Sequence, residues 1–243
     1  MVRQDNRKND EIRSLKFTLD FSKNADGSVL VELGNTKVLV TANIEEKVPP
    51  FLEGTNKGWL TAEYSLLPGS TRPRNAREVN KGKPSGRTSE IQRLIGRSLR
   101  AAFNLNAIGP RTISIDADVI NADASTRVAS ICGGYVAVYK ALSKLKDKSL
   151  ITSIPLIEPV AAVSVGVIKQ ELLLDFSYVE DSQAEIDCNL VMNKSGKIIE
   201  LQMTAEGKPI EQSLVNKLIE LGYKGIKQII EKQIEVTEGI LVH

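Results

Sequence analysis

Apolar and polar positions alternate along several stretches of the chain, and each stretch predicts a strand. Residues 27–44, GSVLVELGNTKVLVTANI, are two β-branched runs joined at Gly34-Asn35, which predicts a hairpin. Residues 58–67, GWLTAEYSLL, predict another strand. In 112–120, TISIDADVI, the residues Ile113, Ile115, Ala117 and Val119 alternate with polar positions, as on a half-buried strand. Between these lies LPGSTRPRNAREVNKGKPSG, 67–86, crowded with Pro, Gly and basic residues and without apolar period. It predicts a long exposed loop, and long loops in compact domains are usually functional or disordered.

The period then changes. GRTSEIQRLIGRSLRAAF, 86–103, predicts a helix beginning near Thr88 or Ser89, with Ser89 and Gln92 at the spacing of a capping box. At 100° per residue Ile91, Ile95, Ser98, Leu99 and Ala102 share one side, while Glu90, Arg93, Arg97 and Arg100 share the other. A second helix is expected from about Asp123 to Leu145. After a loop around Lys146 to Ser149, four more strands are expected in AAVSVGVI, ELLLDFSY, EIDCNLVM and KIIELQMTA. Residues 209–236 read as helical with a break at Gly222 to Gly225. Each half runs from antiparallel strands into helix, so the fold class is α+β, with one domain over 1–243 and weakly duplicated halves of approximately 1–146 and 150–243.

Composition narrows the function classes. With 243 residues, 42% of them hydrophobic, the chain has ample material for a core. The start, MVRQDNRKNDEIRSLKF, is polar where a secretory signal needs an apolar run, and no segment reaches the ~20 apolar residues of a membrane span. A cytoplasmic protein with no membrane association is expected. Cys132 and Cys188 are far apart and without C-x-x-C spacing, which points to reduced core residues. The single histidine, His243, is the last residue, expected to be mobile; Ser-His-Asp and Cys-His nucleophile systems and H-E-x-x-H metal sites are therefore disfavoured. Neither G-x-x-x-x-G-K-[ST] nor G-x-G-x-x-G is present, which disfavours nucleotide-triphosphate kinases and dinucleotide oxidoreductases.

The net charge of +2 conceals a strong segregation. From Gly69 to Arg100 there are nine basic residues, Arg72, Arg74, Arg77, Arg93 and Arg97 among them, against two acidic ones. Residues 171–190 hold six acids and no Lys or Arg. A polyanion-binding surface beside a cation-binding one fits this distribution. Three motifs carry candidate chemistry. Arg87 stands at the entrance to the basic helix, where free amides and the helix dipole favour an anion; alternatively it coats a solvated face. NADASTRVAS, 121–130, places Ser125, Thr126 and Arg127 at a second helix start, where the hydroxyls either bind an anion or simply cap the helix. Asp181, in a turn, and Asp187, on the following strand, are close enough in sequence to share one site. They suit Mg²⁺, which prefers oxygen ligands, or protonation of a leaving oxygen; an exposed acidic hairpin is the plainer alternative.

GWLTAEYSLLP, GRTSEIQRLIGRSLRA, DADVINADASTR and YVEDSQAEIDCNLVM, in that order, closely resemble the bacterial ribonuclease PH family, from about Arg3 to Glu231. The resemblance implies a phosphate-dependent 3′-to-5′ exoribonuclease that trims the 3′ end of precursor tRNA and releases nucleoside diphosphates. It also implies the ribonuclease PH fold (ribosomal protein S5 domain 2-like, with duplicated β-β-α units) and a homohexamer built as a trimer of dimers. Matched position by position, the resemblance makes Arg87, Ser125, Thr126 and Arg127 phosphate-binding and Asp181 and Asp187 catalytic; the same two aspartates are the expected Mg²⁺ ligands by their chemistry. Arg72, Arg74 and Arg77 fall in the RNA-binding loop, and Arg93 and Arg97 extend its basic surface. The chain departs from the family pattern where Ala124-Ser125 replaces G-G, Gly69 replaces an arginine, Ser177 an aspartate and Asn6 a glycine.

Phosphorolysis requires inorganic phosphate to approach an RNA phosphodiester, and arginines with helix termini offset the repulsion between the two anions. Two other readings remain at this level. One is a non-catalytic RNA-binding ring subunit. The other is a metal-dependent hydrolytic nuclease, for which two arginine-bearing anion sites are more than a water nucleophile needs.

Overall fold

In the computed structural model, which describes residues 3–207 and 209–241, two sheets enclose a helical layer. The first sheet holds β1 (Leu15–Leu19), β2 (Gly27–Leu33), β3 (Thr36–Glu45), β4 (Trp59–Leu66) and β5 (Thr112–Asn121), in the order β1-β2-β3-β5-β4. The predicted hairpin forms, with Leu33 opposite Thr36 and Gly34 in the left-handed region at φ 57°. β4 runs parallel to β5. A parallel pair needs a crossover, which α1 (Gly86–Arg100) supplies. β1 is not among the expected strands, although in LKFTL the apolar Leu15, Phe17 and Leu19 alternate with Lys16 and Thr18; Phe17 is buried, and Leu15 and Leu19 are half-buried against the core.

The second sheet is antiparallel throughout, in the order β7-β6-β8-β9, from β6 (Val160–Ile168), β7 (Glu171–Leu174), β8 (Ile186–Asn193) and β9 (Ile198–Ala205). Helix α2 (Thr126–Asp147) lies between the sheets, packed on β2 and β3 on one side and on β6 on the other. Being covered on nearly every side, it is apolar nearly all round. Residues of both halves join one hydrophobic cluster, in which Val31, Val40, Ile95, Val136, Val163 and Leu190 are all fully covered or nearly so. Burial of such side chains contributes roughly 1.5–3 kcal/mol each. Cys132 and Cys188 are free and buried, while His243 lies outside the described residues.

Four local expectations need correction. Helix α1 begins at Gly86 rather than Thr88, because Ser85 is its cap: the Ser85 Oγ accepts from the Thr88 amide at 3.1 Å. Helix α2 starts at Thr126, three residues later than Asp123, since Ala124 and Ser125 are left-handed. The stretch ELLLDFSY leaves the sheet at Leu174, and the turn that carries Asp181 is a single helical one, α3 (Tyr178–Asp181). Finally, α4 (Gln212–Leu241) runs unbroken through Gly222 and Gly225. A Cβ on Gly222 would lie 2.6 Å from Leu190 Cδ2, and one on Gly225 2.9 Å from Leu174 Cδ1. These glycines mark close approach of the helix to the sheet, not its end.

Gly222→Ala is accordingly expected to lower the urea midpoint. The overpacking, about 1–3 kcal/mol, outweighs the ~1 kcal/mol of helix propensity that alanine returns. A midpoint that stays or rises would show that the helix can move aside.

Candidate active site

Three chain junctions meet at one end of the two sheets. The first is the start of α1. Glu78 Oε2 accepts from the Ser85 amide at 3.1 Å and Glu78 Oε1 from the Thr88 hydroxyl at 2.9 Å, which fixes the entry of the helix. Arg87 follows in the first turn with its side chain exposed, and among the described residues it makes no hydrogen bond or ion pair. Its guanidinium is left available.

The second junction is the loop from β5 into α2. Thr36 Oγ1 donates to the Ala124 carbonyl at 2.7 Å and accepts from the Asp123 amide at 3.0 Å, and the Ala122 amide donates to the Ser70 carbonyl at 2.9 Å. These bonds hold Ala124 at φ 56° and Ser125 at φ 51°, a conformation costly for residues with a Cβ. Asn6, at φ 60°, is the third position where the resemblance expects glycine. At all three the backbone requirement is kept although the glycine is not.

Ser125 does not cap α2 with its side chain; the hydroxyl turns inward to Ser164 Oγ at 2.9 Å and Asp175 Oδ1 at 3.4 Å. Thr126 bonds the Tyr64 hydroxyl at 2.8 Å. The capping explanation for this pair therefore fails, and the first amides of α2 remain open to a ligand. Ala124→Gly should relieve strain and raise stability by about 0.5–1 kcal/mol. Ser125→Gly should gain less, because it also removes two inward hydrogen bonds. Equal gains in chemical denaturation would contradict this account of the Ser125 hydroxyl.

The third junction, between β7 and β8, depends on a buried ionic network absent from the sequence expectations. Arg3, with 1% exposure, donates to both Glu180 oxygens at 2.7 Å and to the Leu174 and Asp175 carbonyls at 2.8 Å. Arg13 grips Asp175 at 3.0 and 2.7 Å and reaches the Asp123 carbonyl. Burial by itself would raise the Glu180 carboxyl, but its bonds to Arg3 and Ser177 together outweigh that and hold it below the usual range. This network ties the N-terminal segment to the turn that presents Asp181. Nothing marks it in the sequence, because its members are scattered over some 175 positions.

The three junctions open on one cavity of about 460 Å³, lined by Arg72, Arg87, Ser125, Thr126, Arg127, Asp181 and Asp187 together with Tyr64, Tyr178 and Asn189. Burial and the nearby Asp181 charge push Asp187 up to about 6, against the pull of Arg127 and Arg87. Asp181 is raised by burial of its carboxyl and drawn down by the same two arginines. Guanidinium groups and carboxylates thus act on each other across the cavity. Burial also raises the Tyr64 phenol, keeping it a neutral hydrogen-bonding group.

Apart from Arg72, the other basic candidates lie outside. Arg72 reaches the cavity because the Ser70 carbonyl is tied to Ala122; Arg74 is exposed farther along the loop. Arg77 lines an adjoining recess with Tyr64, Lys83 and Thr88. Arg93 is exposed on α1, and Arg97 is engaged by Glu200 at 3.0 and 3.1 Å. No group of three or more His, Cys, Asp or Glu side chains suited to a metal occurs among the described residues. No described helix is long and apolar enough to cross a membrane.

Comparison with known proteins identifies the family. Residues 11–144 match the model of the 3′ exoribonuclease family, domain 1, and residues 158–225 match its domain 2. A protein named Ribonuclease PH from Syntrophomonas wolfei is 52% identical over 233 residues, 96% of this chain and 98% of that protein. A Ribonuclease PH from Bacillus velezensis is 51% identical over 236 residues, 97% of this chain and 96% of that one. Among solved structures, rice (Oryza sativa) Rrp46 superposes with a TM-score of 0.78 at 19% identity, covering 97% of this chain and all of that one. A chain of the Archaeoglobus fulgidus exosome with RNA bound to the active site gives 0.78 at 19% identity, covering 98% of this chain and 92% of that one. The latter two establish the shared fold. With both domains matched and half the residues identical along nearly its whole length, the chain belongs to the ribonuclease PH family of phosphorolytic 3′ exoribonucleases.

Proposed function

We propose that the chain trims the 3′ end of precursor tRNA and other structured RNA with 3′ extensions, moving each terminal nucleotide to inorganic phosphate and releasing a nucleoside diphosphate. The observation that carries this reading is the single cavity in which Arg87 and Arg127 face Asp181 and Asp187. Inorganic phosphate, the co-substrate, sits between the two guanidinium groups and the amides and hydroxyls of Ser125 and Thr126 at the start of α2. One of its oxygens attacks the phosphorus of the last phosphodiester. The bond from that phosphorus to the 3′ oxygen breaks, and a proton must reach that oxygen as it leaves. Asp187, raised to about 6, carries that proton over a useful fraction of time near neutral pH.

Charge neutralisation before the reaction is the arginines' part; positioning is the part of the helix terminus. Asp181, with Asp187 only in its ionised form, would hold Mg²⁺, since this ion is commonly bound by one or two carboxylates plus substrate phosphate. Bound there, the ion would stabilise charge on the phosphate oxygens. RNA upstream of the cleaved bond runs over Arg72, Arg74 and Arg77, with Arg93 and Arg97 on the flank, Arg97 only by exchanging Glu200 for RNA phosphate. One core and one cavity built from both halves support treating the chain as a single functional domain. A homohexamer and a cytoplasmic location complete the reading.

A tRNA with a 3′ extension, incubated with and without phosphate, tests it. Nucleoside diphosphates that appear only with phosphate are expected. Monophosphates without phosphate would mean hydrolysis, and tight binding with no product would mean a silent RNA-binding subunit.

A further inference from the structure

Behind Arg127, and not lining the cavity, stands Gln202 on β9. Its Oε1 accepts from Arg127 Nη1 at 2.9 Å, and its Nε2 donates to Glu90 Oε1 at 2.8 Å. A guanidinium only donates and a carboxylate only accepts, so a side chain that joins them must do both. The amide does both, and its orientation is fixed by the two partners. Direct contact between Arg127 and Glu90 is long, 3.4 and 3.5 Å to the two oxygens. Glu200 also comes within 3.4 Å of the same amide nitrogen, but Arg97 engages its carboxylate through two bonds. Glu90 is therefore the acid that sets the amide.

We propose that Gln202 is a positioning residue for inorganic phosphate, a neutral bridge that aims Arg127 into the cavity and spaces it from Glu90. The inference rests on the reading of Arg127 as a phosphate ligand. A carboxylate at 202 would neutralise Arg127 and repel the incoming anion. An apolar side chain there would free the guanidinium to close on Glu90. Only an uncharged group that accepts on one side and donates on the other leaves the arginine both fixed and available.

The test compares the unaltered chain with Gln202→Leu, Gln202→Glu and the exchanged pair Glu90→Gln/Gln202→Glu. Phosphate is varied at saturating RNA, then RNA at saturating phosphate. Gln202→Leu should raise the KM for phosphate about tenfold while the KM for RNA stays within about twofold. Gln202→Glu should raise it at least as much. In the exchanged pair the hydrogen bonds are restored but the carboxylate at 202 still faces Arg127, so the KM for phosphate should stay raised, as in Gln202→Glu. An unchanged phosphate KM in Gln202→Leu, or a return to the original KM in the exchanged pair, overturns the inference. If Gln202→Leu does not fold, the comparison of Gln202→Glu with the exchanged pair decides alone. Calorimetric titration with inorganic phosphate reads the same arginine without RNA turnover. A lack of diphosphate release by the unaltered chain would then refute the functional reading, whereas equal phosphate affinity in Gln202→Leu refutes only the role of Gln202.

Discussion

Asp187→Asn is expected to reduce turnover by at least two to four powers of ten, the usual contribution of a positioned proton donor, while RNA binding is retained. Asparagine keeps the size of the side chain but cannot deliver a proton. Gel-shift binding and single-turnover cleavage separate the two effects, and normal cleavage would remove Asp187 from the reaction. Stability should move the opposite way. Folding raises this carboxyl from 3.8 to about 6, so the folded state binds the proton more tightly than the unfolded chain. Stability is then highest below the unfolded value, falls as pH rises through the interval, and reaches its low plateau above about 6. At pH 7 the asparagine variant avoids the buried charge and should be more stable by on the order of 2 kcal/mol. The gain should vanish as pH falls toward 4. Urea unfolding at several pH values checks this, and a gap independent of pH would contradict the role of burial.

Arg127→Ala is expected to raise the phosphate concentration needed for activity by roughly ten- to a hundredfold, from charged hydrogen bonds worth about 1.5–3 kcal/mol. The same change removes a positive charge that favours the Asp187 carboxylate. The Asp187 carboxyl should therefore titrate above its present value of about 6, and the corresponding limb of the pH–rate profile should move to higher pH. Two readouts thus follow from one guanidinium. Unchanged phosphate dependence together with an unmoved limb would place Arg127 outside the site.

Much of this is legible in the sequence. The hairpin at Gly34-Asn35 and the strand with Ile113, Ile115, Ala117 and Val119 follow from local alternation, because one face of each strand meets the core. Arg87, Ser125, Thr126, Arg127, Asp181 and Asp187 stand out because the motifs around them are dense and ordered. What stayed hidden is set by long-range packing. The glycines of α4 look like a helix break unless Leu190 and Leu174 are known to press against them. Arg3, Arg13, Asp175 and Glu180 form one network only after the chain has brought its first residues to its third quarter. Gln202 and Glu90 are 112 positions apart. The left-handed backbone at Ala124 and Ser125 was visible only as an odd replacement for two glycines.

The central claim is that inorganic phosphate itself attacks the terminal phosphodiester. Incubating the chain with labelled orthophosphate and unlabelled 3′-extended tRNA tests it most directly. The account predicts that the label enters the β-phosphate of the released nucleoside diphosphates. Nucleotides released while all the label stays in orthophosphate would contradict it.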